Sequence, residues 1–204
     1  IVVDDCSPTG ERADEIIKKE KLKAKIADFR LYRILTDLRW NQNQCRNLGA
    51  REATSEWLLL TDIDHLIPTD TIQSIFRTEL SSTDFHTFGR KKYDGSDYKE
   101  HPNSYLMTKD LYWLIGGYDE TFCGHYGTDS MYRRRAEKYA GRINHADWKL
   151  VNVGRNDIPD ASTRTLKRKE GRDTSFRESI PKYKHREGIK EVQILKLPWE
   201  RLYL

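Results

Sequence analysis

The chain of 204 residues has room for one domain of ordinary size with a real core, and hardly for two. A hydrophobic share of 37% beside 33% charged residues is typical of a soluble protein, and no run approaches the length of a membrane-spanning helix. The net charge of +4 suits an anionic substrate such as a nucleotide, but it does not by itself argue for nucleic acid, which we do not expect as a partner.

The cysteines bear on the compartment. Cys6, Cys45 and Cys123 are odd in number and widely spaced. They fit neither a disulfide framework nor a zinc site, so we expect reduced thiols in a cytoplasmic protein, with peripheral attachment to a membrane left open. No signal peptide is visible. Because the chain begins at Ile1 without a Met, a leader or a longer N-terminus could have been lost.

Predicted strands and helices alternate along the chain. "IVVDD" is a short buried strand with acids at its end, the loop "CSPTG" follows, and residues 11–25 have helical periodicity. The next predicted elements are a strand at 28–36, a helix at 42–54 and a continuous apolar strand at 56–62. A helix then runs from a cap at Thr69 or Asp70 to about residue 80, and a strand follows at 84–90. The last elements are a helix at 109–115, the loop "GGYDETF", a helix at 129–139 and a last core strand at 148–153. Residues 1–158 are expected to form one domain. Residues 159–204 form a basic and polar arm, whose apolar end "EVQILKLPWERLYL" is expected to dock back on the body.

This alternation predicts an α/β fold, a three-layer α/β/α sandwich with a mostly parallel central sheet. Ligands of such sheets bind beyond the carboxyl ends of the strands. Asp4 and Asp5 end one predicted strand, and Asp62 and Asp64 end another. Two acidic strand ends on one rim make a binding site more probable than two unrelated acidic loops.

The stretch "LLLTDIDHLIP" carries the sharpest chemical signal. Side chains at i and i+2 of a strand share a face, so Asp62 and Asp64 are predicted to project together. Two carboxylates about 6 Å apart repel by roughly 3 kcal/mol at an effective dielectric near 20, and a bound cation would remove that cost. The alternative is a solvated loop in which the acids are turn or capping residues. His65 is predicted to point to the other face in a structural role.

Four motifs in order resemble the family 2 glycosyltransferases, which have the nucleotide-sugar-binding fold called GT-A. They are "IVVDDCSPTG", "NQCRNLGAREATSEWLLLTDID", "LIGGYDETF" and "GTDSMYRRRAEKYAG". They are similar to the family's double-acid strand, its Arg-Asn-x-Gly helix with the Asp-x-Asp strand end, its Gly-Gly-x-Asp-Glu loop and its catalytic-acid helix. The resemblance covers about residues 1–153.

The resemblance implies a metal-dependent transfer of a sugar, with inversion, from a nucleotide-diphosphate donor such as a UDP-sugar. The acceptor hydroxyl could belong to a glycan, a lipid-linked molecule or a protein. Asp64, with Asp62, would hold Mn²⁺ or Mg²⁺, since both ions prefer oxygen ligands. Asp62 could instead reach the ribose, Asp5 would bind the nucleobase, and Asp129 would be the catalytic base.

Three further motif positions have two interpretations each. Arg46 either meets a phosphate or packs between helix and loop. Gly117, next to Gly116, either lets the backbone approach the sugar or acceptor or belongs to an ordinary helix C-cap. Asp119 and Glu120 either bind sugar hydroxyls or cap their own loop.

The chain departs from the family in three places. Family members normally begin with another strand and helix, so a missing N-terminal segment or a partner chain would have to complete the fold. Many members have a His near the last core strand as third metal ligand. The matching region here reads "LVNVGRND", so Asp157, His145 or water would substitute. The usual Glu-Asp pair is Thr128-Asp129.

Two alternatives remain at the level of sequence. A nucleotidyltransferase has a related layout but usually needs a glycine-rich, basic phosphate loop, and none is visible. A catalytically degenerate sugar- or nucleotide-binding module would explain the absent first strand. Hydrolysis of a nucleotide sugar separates an active transferase, which leaks sugar to water, from a binding module.

Overall fold

The computed structural model describes residues 1–20, 28–38, 41–101, 103–124, 129–154, 192 and 194–203. The α-helices in this part of the chain are α1 (Ala13–Lys19), α2 (Gln42–Glu52), α3 (Thr69–Arg77), α4 (Lys109–Leu114) and α5 (Asp129–Tyr139). The strands are β1 (Val2–Asp4), β2 (Leu31–Ile34), β3 (Trp57–Leu60), β4 (His65–Leu66), β5 (Asp84–Lys92), β6 (Asp97–Tyr98), β7 (Tyr105–Thr108), β8 (Arg142–Asn152) and β9 (Trp199–Leu202). A 3₁₀ turn spans Glu120–Phe122. Among the described residues, none of the helices combines the length and the apolar character that crossing a membrane requires.

The chain divides into two compact units. Unit 1 comprises Ile1–Thr54, Gly116–Tyr126 and Asp173–Leu204, and unit 2 comprises Ser55–Ile115 and Gly127–Arg172. Unit 1 contains the sheet of order β1-β2-β9. Unit 2 contains the sheet of order β3-β7-β5-β8-β4, with β6 paired to β5.

The predicted α/β class is confirmed, but the sheets are parallel only in part. The pairs β1–β2 and β5–β8 are parallel. The pairs β2–β9, β3–β7, β5–β7 and β4–β8 are antiparallel. The apolar strand β3, predicted as an interior parallel strand, instead lies at the edge and pairs antiparallel with β7. Its burial explains the difference, because Leu58 is buried whereas Leu59 on the other face is exposed.

The two acid pairs follow strands of different sheets. Asp4 ends β1 and Asp5 comes next in unit 1. In unit 2, β3 already ends at Leu60, so Asp62 and Asp64 lie in the connection to β4 rather than on the strand. The prediction placed both acids on one face because side chains alternate along a strand. That argument was wrong, because the strand ends before the acids and is shorter than its apolar pattern suggests.

Unit 1 packs α2 against its sheet. Tyr32, Ile34 and Leu48 form the buried cluster, and Trp199 packs on it with other apolar residues. β9 pairs antiparallel with β2, so this part of the C-terminal stretch forms a strand of the sheet of unit 1. Residues 155–191 lie outside the described residues.

Unit 2 has its own core of Phe88, Leu106, Trp148 and Leu150, against which α3 packs through Ile75. The predicted cap of α3 at Thr69 or Asp70 was wrong. The N-cap residue is Pro68, without a side-chain cap, since proline fixes an extended entry to the helix. β8 begins six residues before its predicted start at 148 and runs in parallel beside β5.

Candidate functional site

The connection from β3 to β4 presents the two predicted metal-binding acids. The Asp62 and Asp64 side chains are 32% and 31% exposed. The loop is held by the backbone, because the His65 N–H donates to the Asp62 carbonyl at 3.3 Å and the Val153 N–H donates to the Asp64 carbonyl at 2.8 Å. Ile63 between them is 96% exposed. Both carboxylates are therefore accessible to a ligand while their backbone is fixed.

His65 contacts Asp64 directly. Its Nδ1 lies 2.7 Å from Asp64 Oδ1, and its side chain is 1% exposed. The other ring nitrogen, Nε2, lies 3.5 Å from Arg90 Nη1 and 3.4 Å from Asn152 Nδ2. The prediction that His65 points away from the acids was wrong, because the residue follows a turn and not a continuing strand.

His101 makes the corresponding contact to the other acid. Its Nε2 lies 3.3 Å from Asp62 Oδ2, and its Nδ1 lies 2.7 Å from Ser104 Oγ, which is 3.0 Å from Thr61 Oγ1. Burial lowers the pKa of His101, although the hydrogen bond to Asp62 acts in the opposite direction. A neutral ring that donates to Asp62 follows.

Arg90 lies behind this pair of histidines. It is buried, its guanidinium stands 4.4 Å from the centre of the Tyr98 ring, and its Nε donates to the Lys99 carbonyl at 2.8 Å. Burial lowers the pKa of Arg90, while Tyr98, Asp64 and Asp62 raise it. A guanidinium in a protein remains protonated, so Arg90 places one positive charge near the two acids.

The donor chemistry of Asp62 and Asp64 fits Mg²⁺ or Mn²⁺. Such an ion is commonly bound through one or two carboxylates, with waters and substrate phosphates as its other ligands. Among the described residues no cluster of three His, Cys, Asp or Glu side chains forms a cage that could hold a metal by itself. Of the two candidates for a third ligand, His145 lies in β8 opposite Thr87, and Asp157 is outside the described residues.

Asp5 in unit 1 has an unsatisfied oxygen. Its Oδ2 accepts from the Asn41 N–H at 3.0 Å, whereas its Oδ1 is buried without a hydrogen-bond partner. Burial raises the pKa of Asp5 to about 6, against the smaller effect of the Asn41 hydrogen bond. Asp4 differs, since its two oxygens accept from the N–H groups of Ser7 and Ala13 at 2.7 Å each. Asp4 thereby fixes the loop to α1.

Helix α2 holds the Gly-Gly-x-Asp-Glu loop. Asn47 Nδ2 donates to the Tyr118 carbonyl at 2.7 Å and to Glu120 Oε1 at 2.8 Å, and Asn47 Oδ1 accepts from the Tyr118 N–H at 2.8 Å. Arg46 is buried with its guanidinium 5.5 Å from the centre of the Tyr118 ring. The packing interpretation of Arg46 is thus visible in the structure, and a phosphate contact remains a proposal.

The two acids of that loop accept hydrogen bonds from N–H groups of unit 1. Asp119 Oδ1 accepts from the Thr121 N–H at 3.0 Å, which caps the 3₁₀ turn. Glu120 is buried, and its carboxylate also accepts from the N–H groups of Leu195 and Lys196. Gly116 and Gly117 have φ angles of 97° and 64°, and a left-handed pair of this kind needs glycine at the end of α4.

Asp129 is the first residue of α5, as predicted. Thr128 lies outside the described residues.

Sequence reasoning missed His101, Ser104, Arg90 and Asn152. His101 and Ser104 come from the connection between β6 and β7, Arg90 comes from β5 and Asn152 from β8, and only the order of the sheet brings them to the β3–β4 connection. No spacing in the sequence signals that meeting.

Comparison with known proteins gives a family and similar solved structures. The family model described as glycosyl transferase family 2 matches residues 1–140. None of the curated proteins matches the chain. Among solved structures, a mutant of the Drosophila beta-1,4-galactosyltransferase 7 in complex with manganese, UDP-Gal and xylobiose is 12% identical. That match covers 78% of this chain and 70% of that one, with a TM-score of 0.47.

Proposed function

The chain belongs to glycosyltransferase family 2, and from that premise we propose that it transfers a sugar from a UDP-sugar or related nucleotide-diphosphate donor to an acceptor hydroxyl, with inversion and with a divalent metal. The observation that carries the metal dependence is the pair Asp62 and Asp64. Each side chain is about a third exposed and each is in contact with a buried histidine. Membership of the family also favours glycosyl transfer over nucleotidyl transfer.

The first task of the site is to bind the donor. Asp64, with Asp62, would hold Mn²⁺ or Mg²⁺, and the ion when bound would neutralise charge on the diphosphate leaving group. Asp5 would accept a hydrogen bond from the nucleobase. Its buried, unpartnered Oδ1 supports this role, because an orphan acceptor gains most from a ligand N–H. Arg46 would approach a phosphate.

The second task is to activate the acceptor. An inverting transfer needs one carboxylate to take the proton of the acceptor hydroxyl while the oxygen attacks opposite the leaving group. We assign this role to Asp129 at the start of α5. Gly117, Asp119 and Glu120 would line the sugar or acceptor side. In that case Asp119 and Glu120 would act through the backbone of their loop, because their carboxylates already accept hydrogen bonds there.

The setting of the enzyme stays a proposal as well. The free thiols of Cys6, Cys45 and Cys123 support a cytoplasmic location. The proposed acceptor hydroxyl belongs to a glycan, a lipid-linked molecule or a protein.

Calorimetry of UDP binding tests this function. Wild-type protein should bind UDP more tightly with Mn²⁺ than with EDTA, and Asp64→Asn should remove most of that difference. Asp70→Asn, an exposed acid of the same unit at the start of α3, is the matched control and should behave as wild type. Equal affinity in metal and chelator would refute the metal assignment. Release of sugar from a panel of nucleotide sugars then separates a transferase from a binding module.

A further inference from the structure

The two candidate metal-binding acids share an unusual feature, which is a buried histidine for each carboxylate. His65 meets Asp64 and His101 meets Asp62, with side-chain exposures of only 1% and 5% for the histidines. The two imidazole rings lie against each other with their centres 4.0 Å apart and their planes inclined by 39°. The acids are therefore linked through one pair of contacting imidazole rings, His65 and His101, which we call the histidine clamp.

The partners of His65 determine which nitrogen carries its proton. Arg90 has only donors to offer, and its Nη1 faces His65 Nε2 at 3.5 Å. The amide Nδ2 of Asn152 faces the same nitrogen at 3.4 Å. Nε2 therefore faces two donors and takes the place of an acceptor, which leaves the N–H on Nδ1. His65 then donates to Asp64 Oδ1 across the distance of 2.7 Å.

The partners of His101 lead to the opposite tautomer. Asp62 Oδ2, an acceptor, lies 3.3 Å from His101 Nε2, so the proton belongs on Nε2. His101 Nδ1 is then the acceptor of the Ser104 hydroxyl at 2.7 Å, and the Ser104 oxygen can accept from the Thr61 hydroxyl at 3.0 Å. A chain of donors from Thr61 through Ser104 and His101 ends on Asp62.

We propose that His65 and His101 are positioning residues, which orient Asp64 and Asp62 so that the pair receives a divalent cation without reorganising. The inference rests on the proposed function. Arg90 and Ser104 act one step further back, because each fixes the tautomer of one ring. Outer partners of this kind typically change metal affinity by about 10- to 100-fold when they are lost.

The two opposite tautomers allow a crossed experiment. The amide nitrogen of Asn takes the place of Nδ1 of a histidine, and that of Gln takes the place of Nε2. His65→Asn and His101→Gln should therefore keep the donor to the carboxylate, whereas His65→Gln and His101→Asn should misplace it. Calorimetry with Mn²⁺ and UDP is expected to give near wild-type affinity for the first pair and affinity about 10- to 100-fold weaker for the second pair.

If the histidines act only through packing, the size of the replacement decides the Mn²⁺–UDP affinity, and the two Asn variants should resemble each other. That pattern, or equal weakening in all four variants, would overturn the clamp while the metal dependence of the wild type stands. If wild-type protein binds UDP equally with Mn²⁺ and with EDTA, the proposed function fails and the clamp fails with it. Thermal unfolding of each variant shows whether it folds.

Ser104→Ala decides the matter if the histidine variants do not fold. It removes one oxygen that touches neither acid, and it leaves His101 Nδ1 without its donor. We expect Mn²⁺–UDP affinity several-fold below wild type, with UDP affinity in EDTA unchanged. Unchanged affinity in Mn²⁺ would contradict the positioning role of His101.

Discussion

The acids of unit 1 and unit 2 differ in their exposure and in their hydrogen-bond partners. In unit 2, Asp62 and Asp64 are partly exposed and each faces a histidine donor. In unit 1, Asp5 has a buried oxygen without a hydrogen-bond partner and a pKa raised to about 6. Asp62 and Asp64 are each oriented by a histidine, whereas one of the two oxygens of Asp5 has no hydrogen-bond donor. Under the proposed function, similar side chains would therefore receive different ligands, a cation in unit 2 and an N–H group in unit 1.

The largest expected effect concerns proton transfer, which we assign to Asp129 and to none of the three acids compared above. Asp129→Asn should lower turnover by roughly 10² to 10⁴-fold, because the acceptor loses its general base. Folding and nucleotide affinity should stay near wild type, since the change exchanges one short polar side chain for another of nearly the same size at the start of α5. Steady-state transfer kinetics with calorimetry of UDP binding measure both quantities.

Asp110→Asn, in the first turn of α4, is the matched control for a change of acid at a helix start. It should leave turnover unchanged. A near-normal rate in Asp129→Asn would place the base elsewhere, and then the division between binding acids and a separate base would have to be redrawn.

The sequence predicted the acids better than it predicted what surrounds them. The strand–helix alternation gave the α/β class, and α5 begins and ends at its predicted residues. The short strands β4, β6, β7 and β9 were not predicted, because two to four residues carry little periodicity.

The partners of the acids could not be predicted for a related reason. His101 reaches Asp62 only because β7 lies between β3 and β5, and the orphan oxygen of Asp5 depends on burial. Sheet order and burial are properties of the folded chain, and no local pattern of residue types encodes them. The direction of His65 was predicted wrongly because β3 ends at Leu60, two residues before the predicted end of the strand at Asp62.

A second prediction tests the unsatisfied oxygen of Asp5 through its pH dependence. Burial raises the pKa of Asp5 in the folded state to about 6, above the ordinary value of 3.8, so the folded state resists ionisation of this carboxyl group. The wild type has its full stability below the pKa that Asp5 has in the unfolded chain, where Asp5 is protonated in both states. As the pH rises through about 6, the free energy of unfolding therefore falls by roughly 2–3 kcal/mol for a shift of this size. Asp5→Asn cannot ionise, so it should be more stable than wild type at pH 7 and similar to it at pH 4.

The same variant should bind UDP about tenfold more weakly, because its amide group presents a donor where the nucleobase needs an acceptor. Chemical denaturation at several pH values and calorimetry measure the two effects. Asp4→Asn is the control, and it should lose stability at pH 7 because both oxygens of Asp4 accept backbone N–H groups. If Asp5→Asn gains no stability at pH 7, the contrast between the two acid sites does not hold.

The smallest effect comes from Glu120, the acid of unit 1 whose surroundings resemble neither of the other two. One of its oxygens accepts from Asn47 and from the Leu195 N–H, and the other accepts from the Lys196 N–H at 2.8 Å. Glu120→Gln must turn an amide NH₂ toward one of these donors, so it should destabilise the protein by about 1–3 kcal/mol at pH 7. Glu200→Gln, at an exposed position of β9, should change stability by no more than about 0.5 kcal/mol. If Glu120→Gln instead leaves stability intact and weakens acceptor binding, its carboxylate serves the sugar and not the loop, and the sugar-binding interpretation of Glu120 is restored.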